Sequence, residues 1–185
     1  MSVTLEREVK LRFPTVDEAL MAIEATGATA LRCRRLQEDY LLDDSQETLR
    51  RRRCVLRVRI ESGKSLLTFK GPVQPSHMKL RDEIETVVGD GETLIRCLEQ
   101  LGYRVWFRYQ KYREEFSAAD LTIAIDETPV GTFVEIEGGE AAILSMTCAL
   151  GRTPADFILD SYYRLFLTRR DQFGLSGSHM VFAAG

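Results

Sequence analysis

The sequence predicts an α+β protein, with a large antiparallel sheet whose apolar face is covered by helices. Three observations carry this. Segment after segment alternates charged and apolar residues with a period of two, as in Leu56-Arg57-Val58-Arg59-Ile60 and Val134-Glu135-Ile136-Glu137. Between such segments stand stretches with apolar residues at helical spacing and recognisable caps. Turn signals such as Ser62-Gly63 and Thr128-Pro129-Val130-Gly131 link consecutive strands.

The first strand puts Glu6, Glu8 and Lys10 on one face and Leu5, Val9 and Leu11 on the other, interrupted by Arg7. Taken alone, it reads equally well as a solvated sheet face. Thr15-Val16-Asp17-Glu18 forms a capping box for a helix carrying Val16, Ala19, Leu20 and Ile23 and stopping at Gly27. Residues 31–43 read as extended, followed by a turn at Asp43-Asp44-Ser45-Gln46. The basic run Arg50–Arg53 precedes a strand of Leu56, Val58 and Ile60, with Arg57 and Arg59 on its other face. That run lacks interleaved aromatics and so makes no stacking platform for bases. After Ser62-Gly63, a second strand ends at Thr68-Phe69-Lys70-Gly71-Pro72.

Residues 73–79 form a polar loop, in which His77 reads as a solvated side chain. The next strand sets Arg81, Glu83 and Glu85 opposite Leu80, Ile84 and Val88. Asp90 then caps a helix whose Leu94, Ile95, Leu98 and Leu101 face a core, and Gly102 ends it. In 105–116, Lys111 and Arg113 share a face with Phe107 and Tyr109; Leu121, Ile123 and Ile125 then alternate with Thr122, Ala124 and Asp126. Two helices close the chain, one around Glu140–Leu150 and one with Thr153 as N-cap and Pro154 in its first position. In the second, Ile158, Leu159, Tyr162, Tyr163 and Phe166 read as packing residues. One domain is expected over 1–173, with a flexible tail over 174–185.

Composition narrows the function classes. A chain of 185 residues with 44% apolar and 29% charged residues suits one soluble domain, and a net charge of −3 argues against nonspecific nucleic-acid or membrane binding. Cys33, Cys54, Cys97 and Cys148 are scattered, and His77 and His179 are the only histidines, so no structural zinc site is expected. No apolar run approaches the roughly 20 residues of a membrane span, and no signal peptide is visible, so a cytoplasmic protein is expected.

The charged faces add up to more than one strand does. Carboxylates recur at Glu6/Glu8, Glu83/Glu85 and Glu135/Glu137, with Asp126 alone; cations recur at Lys10, Arg57/Arg59, Lys70, Arg81 and Lys111/Arg113. Either an open sheet exposes them, or roughly eight strands close into a barrel that they line. In the barrel, clustered carboxylates call for a cation, and oxygen ligands favour Mg²⁺ or Mn²⁺. The arginines and lysines call for an anion as rich as a polyphosphate. There is no phosphate-binding G-x-x-x-x-G-K-[ST] loop and no G-x-S-x-G elbow.

Glu6-x-Glu8-x-Lys10 resembles the signature of the CYTH superfamily, the triphosphate tunnel metalloenzymes. The resemblance runs on, in the family's order, through Gln37–Tyr40, Leu56–Arg59, Leu67–Pro72, Arg81–Thr86, Lys111–Arg113, Ile125–Glu127, Gly131–Glu137 and Ser161-Tyr162. It implies an eight-stranded antiparallel β-barrel with flanking helices. By resemblance, Glu6, Glu8, Asp126, Glu135 and Glu137 bind metal or orient its waters, and one of Glu83 and Glu85 often contributes. Lys10, Arg57, Arg59, Lys70, Lys111 and Arg113 match positions that grip the triphosphate, and Arg81 joins them from the charge pattern.

Glu8, Lys70 and Glu137 are the catalytic candidates, with Lys70 one candidate for a general base that the sequence leaves open. Val130-Gly131-Thr132 departs from the G-L-G that often precedes F-x-E-I-E in class IV adenylyl cyclases. Three activities follow from the resemblance. The first is a metal-dependent triphosphatase acting on inorganic triphosphate, thiamine triphosphate or a nucleoside triphosphate. The others are a class IV adenylyl cyclase, and a module that binds triphosphate without turnover. The expected partner is a triphosphate-containing small molecule, with no nucleic acid and no membrane, and with a homodimer left open.

Overall fold

The alternating segments form β1 (Thr4–Phe13), β2 (Thr29–Asp44), β3 (Val55–Glu61), β4 (Lys64–Lys70), β5 (Lys79–Val88), β6 (Tyr103–Ala118), β7 (Leu121–Thr128) and β8 (Gly131–Glu137). The computed structural model describes residues 3–183. All eight strands pair antiparallel in the order β1-β5-β4-β3-β2-β6-β7-β8, and β1 pairs with both β5 and β8, so the sheet closes. Closure decides between the two sequence readings: the charged faces line a common interior. At the β3–β4 hairpin, Ser62 and Gly63 both take positive φ (42° and 75°), the twist that a two-residue hairpin needs.

The outward apolar faces are covered by helices α1 (Val16–Ala25), α2 (Thr48–Arg51), α3 (Gly91–Gln100), α4 (Glu140–Ala149) and α5 (Tyr162–Arg169). Thr15 caps α1 by accepting from Glu18 N at 3.1 Å, and Asp90 caps α3 by accepting from Thr93 N at 2.9 Å. α1 and α4 bury Val9, Leu11, Ile123, Val134 and Ile136 against Ile23 and Ile143. α3 covers Leu42 and Val58 with Ile95 and Leu98. Gly91 lets α3 start directly on β4, because a Cβ there would lie 2.7 Å from Ser65 Oγ. Leu101, expected in this core, is 75% exposed: it is the C-cap residue of α3, beyond the last packed turn. No helix among the described residues is long and apolar enough to cross a membrane.

A third cluster fills one end of the barrel. Leu41, Phe107, Tyr109 and Phe133 point inward there, and Tyr162, Leu165 and Phe166 of α5 close over them. Two features stand out at this end, the first of which differs from the sequence expectation. The closing helix is split. Thr153 caps only a 3-10 turn over Pro154–Asp156, in a capping box where Thr153 N donates to Asp156 at 2.8 Å, and the backbone is already extended at Phe157. Ile158 N then donates to Lys10 O (2.8 Å), filling the edge of β1 beyond its pairing with β5, and Ser161 caps α5.

The second feature is Met180, in the otherwise mostly exposed segment after Gly174. β6 overhangs β7, whose pairing starts only at Tyr112, and residues near Met180 occupy the open edge. Met180 N donates to Arg108 O (3.0 Å), Gln110 N donates to Met180 O (2.8 Å), and the Met180 side chain is fully buried in the floor cluster. Residues 184–185 of the expected tail lie outside the described residues.

Candidate functional site

Strand alternation gives each strand one inward column of side chains. On β1 it reads Glu6, Glu8, Lys10; on β5 Lys79, Arg81, Glu83, Glu85; on β8 Glu135, Glu137. These three strands are neighbours and form an acidic wall. Across the lumen, β3 contributes Val55, Arg57, Arg59 and Glu61, β2 contributes Leu41 and Gln37, and β6 contributes Tyr109, Lys111, Arg113 and Glu115. This is the basic wall. The enclosed cavity measures about 330 Å³ and is lined by eight acidic and nine basic side chains. That near-balance lets the charges be held by one another: unpaired, each buried ion would cost several kcal/mol.

The acidic wall is held by lysines and arginines. Glu6 accepts from Lys70 Nζ (2.6 Å) and Arg81 Nε (3.1 Å), and Lys70 also meets Glu83 at 2.7 Å. Glu8 accepts from Lys79 (2.5 Å), and Glu135 is paired with Lys10 (3.2 Å) and with Arg113. Burial opposes the charge on Glu8, but Lys79, with Lys10 and Lys70 behind it, brings its carboxyl down to about 2. Glu137 is the exception. It has no ion pair among the described residues; withdrawal from water, and then the facing Glu6 and Glu8, push it up to about 7.

The basic wall is built on two aspartates. Asp39, fully buried, accepts from Arg59 Nε (2.9 Å) and lies 3.4 Å from Arg57 Nε. Asp126, also fully buried, accepts from Lys111 Nζ (2.8 Å), Arg113 Nε (2.6 Å) and Tyr162 Oη (2.6 Å). Burial, and then the neighbouring Arg113 guanidinium, lower Lys111 to about 8. Arg57 donates to Thr68 Oγ1 at 3.1 Å, and Thr68 donates to Glu85 at 2.7 Å. At the open rim, Arg35 ties Glu61 (3.2 Å) to Glu115 (2.6 Å), and Gln37 donates to Glu61.

Every candidate residue from the sequence except Asp126 lines the cavity. Asp126, on the same face of β7 as the lining Thr122 and Ala124, is fully buried, its oxygens occupied by Lys111, Arg113 and Tyr162. Sequence reasoning missed Asp39, Lys79, Glu61, Arg35 and the Tyr162 hydroxyl. Parity was an available signal for three of these, Glu61 following Arg59 by two residues on β3. Asp39 lies two residues from Gln37, and Lys79 two residues before Arg81, so each shares an inward column. His77 is exposed, 3.2 Å from Glu140, and outside the cavity.

Among the described residues no three carboxylates, histidines or cysteines are drawn into a closed metal cage. The chemistry of the donor set nevertheless fits a hard divalent cation: Glu6, Glu8 and Glu137 offer only oxygen, and Glu137 lacks a compensating positive charge.

Similarities to known proteins agree with this geometry. A provisional adenylate cyclase of Methanocaldococcus jannaschii is 27% identical over 134 residues, covering 72% of this chain and 76% of that protein. A protein of Pyrococcus horikoshii has a similar structure, with a TM-score of 0.75, 27% identity, and coverage of 89% of this chain and 99% of that one. A Hippeastrum protein first named an adenylyl cyclase, and described as having a dominant triphosphatase activity, shares the fold (TM-score 0.66, 17% identity, 88% and 95% coverage). The model of the CYTH domain matches residues 4–142, which include all eight strands of the barrel, and the chain belongs to the CYTH domain family.

Proposed function

We propose that the tunnel is a divalent-metal-dependent phosphohydrolase site for triphosphate-containing substrates: inorganic triphosphate, thiamine triphosphate or a nucleoside triphosphate. The observation that carries this reading is the pair of facing walls, with Glu137 short of positive charge beside Glu6 and Glu8, opposite Arg57, Arg59, Lys111 and Arg113. A pure anion-binding module gains nothing from the carboxylates, which repel its ligand.

Arg57, Arg59, Lys111 and Arg113 supply forked and point-charge donors to the phosphate oxygens, and Lys10, Lys70 and Arg81 complete the grip from the other wall. Asp39 and Asp126 position these cations and stay out of reach of the substrate. Glu6, Glu8, Glu135 and Glu137 would hold Mg²⁺ or Mn²⁺, with Glu83 or Glu85 contributing. Once bound, the ion would supply charge neutralisation on the phosphate oxygens and acidify water. Water attacks the terminal phosphorus, the bond to the bridging oxygen breaks, and orthophosphate and the shortened ester or diphosphate leave. Glu8 and Glu137 are the carboxylates on which turnover rests. Lys70, held between Glu6 and Glu83, acts as a charge clamp.

The similarity to the Methanocaldococcus jannaschii protein favours a second reading, in which a ribose 3′-hydroxyl attacks the α-phosphorus of ATP and pyrophosphate leaves. Product chromatography after incubation with Mg²⁺ or Mn²⁺ separates the two, with ATP, inorganic triphosphate and thiamine triphosphate offered in turn. Orthophosphate is expected; cyclic AMP with pyrophosphate makes the protein a cyclase, and no turnover removes both.

A further inference from the structure

Four cations stand among the carboxylates of the acidic wall: Lys10, Lys70, Lys79 and Arg81. Three of them share partners. Lys70 meets both Glu6 (2.6 Å) and Glu83 (2.7 Å), and Arg81 donates to the same Glu6. Lys10 meets Glu135, which also holds Arg113, and donates to the Asp160 carbonyl at 3.3 Å. Lys79 is held differently. Its Nζ meets Glu8 Oε1 at 2.5 Å, and among the described residues neither partner has another hydrogen bond or ion pair. This pair opens without stranding a third group.

Strand register sets the pair at the point of greatest negative charge. Glu8 lies opposite Lys79 on β5 and opposite Glu137 on β8. Glu137 has no ion pair among the described residues, and like charges directly across a ladder repel. A divalent cation therefore gains most between Glu8 and Glu137, and an ammonium already stands on one of them.

We infer that Lys79 is a resident counterion: its ammonium and the divalent ion are alternative occupants of Glu8, and metal binding displaces Lys79 into the lumen. This inference rests on the metal-dependent reading of the tunnel. A small hard divalent ion such as Mg²⁺ takes a carboxylate oxygen at about 2.1 Å. Whichever Glu8 oxygen it takes, a double charge then stands within a few ångströms of the ammonium. That repulsion outweighs the one charge-assisted hydrogen bond holding Lys79. The flexible four-carbon stem lets the ammonium swing while the backbone stays, because Met78 beside it is fully buried and Lys79 is the first residue of β5. Metal affinity is then a difference between two occupants, and the site fills at a higher divalent-ion concentration than its carboxylates alone would require.

The test uses the full chain and Mn²⁺ alone, with no triphosphate. Acetylation by acetic anhydride is read by peptide mass spectrometry in EDTA and at saturating Mn²⁺, with the exposed Lys64 as reference. Lys79 should be acetylated several-fold faster with Mn²⁺. In calorimetry, Lys79→Met, which keeps the stem and removes the charge, should bind Mn²⁺ roughly tenfold more tightly, the worth of one charge-assisted hydrogen bond lost from the competing state. Arg57→Met, which removes a charge from the facing wall, should bring a smaller gain. Unchanged acetylation of Lys79 at saturating Mn²⁺ overturns the displacement while the metal reading stands, and decides the matter alone if Lys79→Met does not fold. An equal gain in Arg57→Met and Lys79→Met overturns it too, since the tunnel's general field would then explain both. Failure of the unaltered protein to bind Mn²⁺ overturns the metal-dependent reading, and the displacement with it.

Discussion

The two walls of the tunnel solve the same problem, charge in a confined space, in different ways. On the basic wall the cations are anchored on buried carboxylates of neighbouring strands: Asp39 and Asp126 are fully buried, and the arginines lean on them. The lining groups are therefore held in place before any ligand arrives, which suits recognition by preorganised forks. On the acidic wall the partners stand inside the lumen. Lys70 and Lys79 reach Glu6 and Glu8 from neighbouring lumenal positions, and Glu137 has no ion pair among the described residues. One wall is a finished structure, and on the other Glu137 faces Glu6 and Glu8 without a positive partner among the described residues.

The largest test of that contrast is Asp126→Ala. It leaves Lys111 and Arg113 buried without their shared carboxylate, and should cost about 3–5 kcal/mol of stability. Glu85→Ala, at a half-open position on the acidic side, should cost no more than about 1 kcal/mol. Urea denaturation measures both, and similar losses would erase the distinction between an anchored and an open wall. Next in size, Glu8→Gln should lower kcat roughly 10²–10³-fold, the range seen when one electrostatic stabiliser of the transition state is removed. Arg57→Lys should keep kcat and raise KM roughly tenfold, because it replaces a fork by a point charge. A KM effect at Glu8 and a kcat effect at Arg57 would exchange the roles of the walls.

The lining of both walls was legible because it rests on parity. A period of two places Glu6 with Glu8 and Arg57 with Arg59 whatever the tertiary fold. Closure was not legible from parity, since an open sheet has the same alternation; it depends on β1 finding both β5 and β8. The helix contact that secures one anchor of the basic wall was hidden for a related reason. The hydroxyl that meets Asp126 comes from Tyr162, 36 residues later and on a helix, where helical spacing reads it as packing. Met180 stood alone among small polar residues, with no periodicity to mark it. It is buried because β6 overhangs β7 and leaves an edge to be covered.

Two glutamates at the rim give the smallest and sharpest comparison. Glu61, on the basic wall, has its carboxyl brought from the ordinary 4.5 down to about 2: burial opposes the charge, but Arg32, Gln37 and Arg35 outweigh it. Its contribution to stability is complete above 4.5 and is lost as pH falls through about 2. Glu137, on the acidic wall, is raised from the same 4.5 to about 7 by partial burial and by Glu6 and Glu8. Its contribution is complete below 4.5 and is lost as pH rises through about 7.

Urea midpoints measured against pH in EDTA should therefore fall on both sides. Glu61→Gln should flatten the acid limb alone, and Glu137→Gln the limb approaching neutrality alone. Mg²⁺ should restore the second limb in the unaltered protein but not the first, because only the acidic wall has charge for a cation to neutralise. If Mg²⁺ left both limbs unchanged, the carboxylates of β1 and β8 would be a lining and not a metal site.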